Sequence, residues 1–134
     1  MHDRLLTDRV KLVVDLAFYQ TNVSPHGVTE RCSLTVPSDR IAYIPYLFML
    51  ARRRAEASAN PMVYMSASYQ PNGGTLRPIA ELYLFGNEIS DWESLAIPIN
   101  LWMFPGDFIS IGTYDGSTGG AVDYTIRAPV YEIY

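Results

Sequence analysis

The sequence is short of the residues that most simple active sites need. It has one cysteine, Cys32, and two histidines, His2 and His26. A lone cysteine excludes an internal disulfide framework and any multi-cysteine metal cage. Two isolated histidines, with no His-x-x-x-His pair, offer no zinc site of ordinary spacing. Charge is also scarce, at 18% of residues, against roughly a quarter in an average soluble domain. No uninterrupted apolar run approaches the ~20 residues of a membrane span. Nor is there a basic excess. The net charge is −4, which speaks against nonspecific binding of nucleic acid. The opening Met1-His2-Asp3-Arg4-Leu5-Leu6 lacks the charged-then-apolar profile of a signal peptide. If this is the whole gene product, the chain is expected to be made and kept in the cytoplasm, or assembled there into something larger.

What is present is enough for one packed domain. The chain has 134 residues, 49% of them hydrophobic, with ten tyrosines among its aromatics. Of the ten basic residues only Lys11 is lysine; the rest are arginine. Arginine offers a planar fork for bidentate pairing and is enriched at interfaces, where lysine is depleted.

Period-two alternation dominates the chain and predicts strands. Residues 1–9 read as a polar arm or a short helical turn, and 10–134 as the domain. Leu12, Val14, Leu16 and Phe18 alternate over Val10 to Gln20, and Asn22, Ser24, Pro25 and Gly27 mark the loop that follows. Cys32, Leu34 and Val36 share a face before Pro37-Ser38-Asp39. Val63, Met65, Ala67 and Tyr69 alternate next, and Gln70-Pro71-Asn72-Gly73-Gly74 is a strong turn signal. Leu76, Ala80, Leu82 and Leu84 then share a face. Gly86 to Ser94 reads as a loop with room for one helical turn at Ser90-Asp91-Trp92-Glu93. Leu95, Ile97, Ile99, Leu101 and Met103 form the cleanest apolar face, and Pro105-Gly106-Asp107 turns the chain into Phe108 to Tyr114. A glycine-rich loop, Asp115 to Gly120, leads to a last strand carrying Val122, Tyr124, Ile126, Ala128 and Val130. The stretch Ile41 to Asn60 is ambiguous. Its Leu, Met, Arg and Ala favour helix from about Tyr46, whereas Ile41, Tyr43, Ile44 and Pro45 favour entry into a strand. With that stretch as a strand the total is eight, which suits an all-β sandwich or jelly roll. No repeat of constant period points to a propeller or solenoid.

The closing stretch INLWMFPGDFISIGTYDGSTGGAVDYTIRAPVYEIY resembles the last strands of small jelly-roll virion proteins of tailed bacteriophages. These are capsid decoration (cement) proteins and, related in pattern, trimeric fibre-head domains. The shared elements are Leu101, the Gly106-Asp107 turn, Ile109 to Tyr114, the loop Gly116 to Gly120, and Glu132 to Tyr134. TVPSDRIAYIPYLFMLARRRAEAS likewise resembles the proline-led strand of such domains, which runs on into a basic, alanine-rich loop. On that ground a strand is expected through about Arg53. The resemblance covers roughly residues 35–134 and is one of pattern; Gly-Asp turns also occur in tumour-necrosis-factor-like jelly rolls. It implies a homotrimer or a subunit docked on a capsid, with the major capsid protein as partner and no enzymatic role.

Each candidate site in the sequence has a plainer reading. Gly116-Ser117-Thr118-Gly119-Gly120 lacks the lysine and the following helix of a phosphate loop, so it reads as a hairpin loop. Asp107, Asp115 and Asp123 recur every eight residues, too far apart for a calcium loop, and read as strand ends or a solvent-facing strand position. Cys32 in a strand reads as a small core residue. No carboxylate stands in an apolar run that would raise its pKa; Glu81 and Glu132 come closest, and outward-facing positions explain both. Arg52-Arg53-Arg54 reads first as a solvated loop and second as a docking contact to an acidic neighbour. Trp92, Trp102 and Phe104, with Tyr43, Tyr46, Tyr64, Tyr83 and Tyr131, exceed what one small core needs; they suit an interface or a sugar-stacking groove, and the plainer reading is that they fill the sandwich.

These readings converge on a non-enzymatic virion protein on the capsid surface that bridges capsid subunits. Its expected partner-binding residues are Arg4, Leu5, Leu6 and Arg9 in the arm, Arg52 and Arg54, Trp92, and Tyr114 with Asp115. No cofactor, metal, nucleic acid, membrane or small-molecule ligand is expected. The alternative is a glycan-binding head of a phage fibre or spike. A fibre head usually follows a shaft, and only about nine residues precede the first expected strand, which favours decoration. A cupin-type enzyme is disfavoured by the shortage of histidine.

Overall fold

The computed structural model describes residues 10–23, 28–55, 63–86, 88–115 and 121–133, with side chains from Arg31 onward except those of Ala55, Asp115 and Ala121. The described residues form eight strands: β1 (Val10–Val23), β2 (Val28–Thr35), β3 (Ile41–Ala55), β4 (Val63–Gln70), β5 (Arg77–Leu84), β6 (Trp92–Met103), β7 (Phe108–Asp115) and β8 (Ala121–Ile133). They form two four-stranded antiparallel sheets in the orders β1-β8-β3-β6 and β2-β7-β4-β5. Of consecutive strands, only β4 and β5 share a sheet as neighbours. Every other connection crosses the sandwich, which is the wiring of a jelly roll.

The sheets face each other across one apolar core. Ile44, Leu47 and Met49 of β3 and Ile126 and Val130 of β8 belong to the same cluster as Val63 and Met65 of β4 and Ile109 and Ile111 of β7. Cys32 and Leu34 pack against it, half-buried, as their expected shared face requires.

The ambiguous stretch is strand over Ile41–Ala55, not helix; its residues 56–60 lie outside the described residues. Ala42, Ile44, Leu47, Met49 and Ala51 are all buried, so the segment fits a two-residue period with one slip. The slip lies at Pro45. Ile44 pairs Leu101 while Tyr46 pairs Pro98, a bulge in the β3–β6 ladder, and the β3–β8 register also jumps between Tyr43 and Phe48. A proline has no N–H to give a ladder and is tolerated inside a sheet where pairing is already interrupted. With β8 on one side and β6 on the other, cross-strand packing overrides local helix propensity.

Three local expectations need correction. Leu76 precedes β5 and is exposed, so only Ala80, Leu82 and Leu84 line the inner face. The helical turn at residues 90–93 is absent: Ser90 takes a positive φ of 74° and Trp92 opens β6. Leu95, Ile97, Ile99 and Leu101 are half-buried, because β6 is an edge strand with a neighbour on one side only.

The Gly-Asp turn joins four parts of the chain. Gly106 N–H donates to Val36 O at 2.9 Å, and Val36 N–H donates back to Asp107 O at 2.9 Å. The buried Asp107 carboxylate accepts from Phe104 N–H at 2.9 Å, Asn72 N–H at 2.7 Å and the Tyr69 hydroxyl at 2.7 Å. Burial opposes its ionisation, but the backbone donors of Phe104 and Asn72, with Tyr69, outweigh this and hold its pKa below the ordinary value. Burial, reinforced by the hydrogen bond to that carboxylate, pushes the Tyr69 phenol up to about 12. Gly106 has φ +85°, and a Cβ there would lie 2.6 Å from Asn72 Cγ. Glycine is therefore required twice over, by backbone and by contact.

Candidate functional site

The outer face of the β3–β6 pair is largely apolar where a half-solvated antiparallel sheet is normally polar. The ladder sets Tyr43 opposite Trp102, Tyr46 opposite Pro98, Phe48 opposite Ala96 and Arg52 opposite Trp92. Tyr43 and Trp102 stack with ring centroids 4.5 Å apart, and the Tyr43 hydroxyl donates to Asn100 Oδ1 at 2.7 Å. That bond accompanies a positive φ of 45° at Asn100, beside the bulge. Trp92 is 60% exposed and Trp102 51%. Leu50, Arg52, Ser90 and Trp92 line a shallow depression of about 410 Å³ at one end of this face. Exposed aromatics on a continuous sheet surface are the usual mark of an interaction site.

The arginine run is in strand, not in a solvated loop. Arg52 and Arg54 are exposed, while Arg53 turns inward and is 1% exposed. Arg53 Nε donates to Gly86 O at 2.7 Å. Its backbone N–H donates to Asp91 O at 2.8 Å, and its carbonyl accepts Ser90 N–H at 2.9 Å. The loop between β5 and β6 is thereby clamped onto β3, which explains why its residues take turn rather than helix geometry. Arg54 Nε pairs with Asp123 Oδ2 at 2.6 Å. Asp123 does face outward as its parity predicts, but it is buried beneath Arg54 rather than solvent-facing. Among the described residues Arg52 makes a long contact of 3.4 Å from its guanidinium to Ser90 Oγ.

Two other carboxylates are buried, Asp107 at the strand end expected for it and Glu132 against expectation. Asp107 is buried in the Gly-Asp turn. Glu132 is buried too, at 3% exposure, and pairs with Arg40; its place on β8 faces inward, so the outward-facing reading is overturned. The partner of Glu132 lies 92 residues away in sequence, so no local window shows the pair. Glu81 is exposed, as expected.

The outer face of the β2-β7-β4-β5 sheet differs in chemistry. Tyr114, Tyr64 and Tyr83 stand side by side on β7, β4 and β5, with centroid spacings of 5.1 and 5.7 Å, and Phe85 follows at 6.1 Å. Beside this row the floor is built from small residues. Ser66 sits between Gly112 and Glu81, and Ser68 faces Ser110. The result is a depression of about 510 Å³, bounded at its far side by Leu76 and Pro78.

Of the expected partner-binding residues, the structure brings Arg52 and Trp92 together around one depression. Arg54 lies one outward position further along β3, and Tyr114 belongs to the opposite face, stacked on Tyr64. Arg4, Leu5, Leu6 and Arg9 lie outside the described residues, as do the side chain of Asp115 and the loop Gly116 to Gly120. Sequence reasoning singled out neither the Tyr43–Trp102 pair nor the Ser66 floor. The parity of Trp92, Ala96, Pro98 and Trp102 along β6, opposite to that of the apolar face, was the signal for the first.

No protein-family model and no curated protein matches the chain. Solved structures do. PirA is similar with a TM-score of 0.54 at 12% identity, over 86% of this chain and 95% of that one. The protein of T=1 particles derived from infectious bursal virus is similar with a TM-score of 0.43 at 13% identity, over 92% of this chain. This chain spans about a third of it, 31%. Eiger TNF from S. frugiperda is similar with a TM-score of 0.41 at 7% identity, over 89% of this chain and 91% of that one. The likeness to PirA shows the fold; the two lower scores add nothing to it. The class defined by strand order and similarity together is an all-β jelly-roll protein.

Proposed function

We propose that this chain is a structural virion protein without catalytic activity: a decoration protein that docks on the outside of a phage-like capsid and bridges its subunits as a homotrimer. The observation that carries the reading is the exposed aromatic face of the β3–β6 pair, where Tyr43, Tyr46, Trp92 and Trp102 stand on the solvent side of a sheet. Burying such a face against a shell contributes ~25 cal/mol per Å² of apolar area before association costs. The exposed Arg52 and Arg127 on the same face suit an acidic rim on the capsid subunit. The resemblance of residues 35–134 to phage decoration proteins supports the choice of partner.

The test is co-sedimentation with empty shells of the candidate major capsid protein, with the mass of the free chain measured by light scattering. A trimer that sediments with shells is expected. Trp92→Ala and Trp102→Ala together should weaken that binding by about tenfold or more, as loss of central aromatic anchors does, with the thermal midpoint little changed. A monomer that stays in the supernatant would sink the reading.

A further inference from the structure

We propose that the depression on the outer face of the β2-β7-β4-β5 sheet, floored by Ser66 and Ser68 and flanked by Tyr64, Tyr83, Glu81 and Leu76, is a binding site for a neutral oligosaccharide. This face lies across the sandwich from the one assigned to capsid docking, so the two proposals stand or fall separately.

Backbone recognition is closed off here. β4 lies between β7 and β5, so its N–H and C=O groups are committed to ladders on both sides, and a peptide cannot add as an extra strand over the floor. Recognition falls to side chains. Those on offer are hydroxyls from serine and tyrosine, which both donate and accept, together with one carboxylate and an apolar edge at Leu76 and Pro78. Among the described residues no lysine or arginine lines the depression, so phosphate, sulfate and sialic acid find no counter-charge there. A ligand dense in hydroxyls, with C–H surfaces between them and no net charge, fits this lining; an oligosaccharide has that chemistry.

The cross-strand register makes the site. Ser66 faces Glu81 on one side and Gly112 on the other, and Ser68 faces Ser110. With no side chain at Gly112 and short ones around it, the sheet surface stays open beside a wall of rings. Glu81 is held ready: the Tyr83 hydroxyl donates to its Oε2 at 2.7 Å, which leaves the other carboxylate oxygen to accept from a sugar hydroxyl. That contact is charge-assisted, the stronger kind of hydrogen bond. The same bond to Glu81, together with burial, raises the Tyr83 pKa, so this hydroxyl stays a donor throughout the physiological range.

The experiment is a titration of the full chain, followed by amide NMR shifts, with cellotetraose, maltotetraose, chitotetraose and lacto-N-tetraose. 3′-Sialyllactose and decaproline serve as the anionic and peptide comparators. At least one neutral tetrasaccharide should bind saturably and move the amides of Tyr64, Ser66 and Glu81. Glu81→Gln should weaken it about tenfold, the loss of one charge-assisted hydrogen bond. Ser66→Tyr should abolish it by filling the floor, and Trp102→Ala should leave it intact. Glu81 is exposed, so its variant tests the site even if Ser66→Tyr perturbs folding. Failure of all four tetrasaccharides to bind overturns the proposal, as does preference for either comparator or binding indifferent to Glu81→Gln.

Discussion

The Tyr69 hydroxyl donates to Asp107 Oδ2 at 2.7 Å, linking the end of β4 to the Gly-Asp turn that precedes β7. Two further donors, the N–H groups of Asn72 and Phe104, converge on the same carboxylate. One acidic side chain thus ties the β4–β5 hairpin to the β6–β7 turn.

This arrangement makes stability fall at both ends of the pH scale. Asp107 has a folded pKa below its ordinary value of 3.8. Its contribution is therefore present above that value and lost as pH falls through the lower, folded one. Tyr69 has a folded pKa pushed up to about 12 from 10.0, so its contribution is intact below 10.0 and lost as pH rises through about 12. Urea midpoints measured against pH should show both limbs. Asp107→Asn should flatten the acid limb and Tyr69→Phe the alkaline one.

Gly106→Ala should destabilise more than Gly73→Ala, although both glycines have positive φ. At Gly73 an added methyl meets nothing within 4 Å, so only backbone strain of ~1–2 kcal/mol applies. At Gly106 the same strain is joined by a collision with the Asn72 side chain, for a total of about 2–4 kcal/mol. Chemical denaturation of the two variants side by side checks the order; equal costs would mean that the contact is relieved freely.

Arg53→Met should cost about 2–4 kcal/mol despite its good steric match, because Gly86 O then loses a charged donor in a buried setting. Arg53→Lys should recover little, since a point-charge ammonium on a shorter reach does not reproduce the guanidinium fork. Arg52→Met, on the exposed face of the same strand, should stay within about 0.5 kcal/mol of the parent. Thermal unfolding of the three variants distinguishes them.

The Tyr43–Trp102 stack should show a coupling of about 0.5–1.5 kcal/mol in a double-mutant cycle on stability. Across the 2-7-4-5 sheet, Tyr64 and Tyr83 should couple less strongly, because their rings are 5.7 Å apart and tilted by 41°. Denaturant midpoints for the two cycles provide the comparison.

Much of the architecture was legible in the order of residues. Alternation located the strands other than β3, which the family resemblance supplied; Gln70 to Gly74 and Pro105-Gly106-Asp107 announced their turns, and the total of eight in one small domain implied a jelly roll. Once the stretch is taken as a strand, parity alone puts Arg52 and Arg54 on one face and Arg53 on the other. These are local properties: a two-residue period and a turn's backbone requirements are written within a few residues of chain.

What only the tertiary structure decided involves partners far apart in sequence. Glu132 read as an outward carboxylate until Arg40, 92 residues away, was found against it. Asp123 read as solvent-facing until Arg54 was found covering it. The strand through Tyr46 to Arg53 opposed its own helix propensity, and flanking β8 and β6 decided it. Trp92 could be singled out as exposed, but its place beside Arg52 depends on the register of the β3–β6 ladder. Tyr64, Tyr83 and Tyr114 become one row only once three strands are aligned. Nearly all connections in a jelly roll cross between sheets, so contacts that settle burial and pairing are long-range, and no local window of sequence contains both members of a pair.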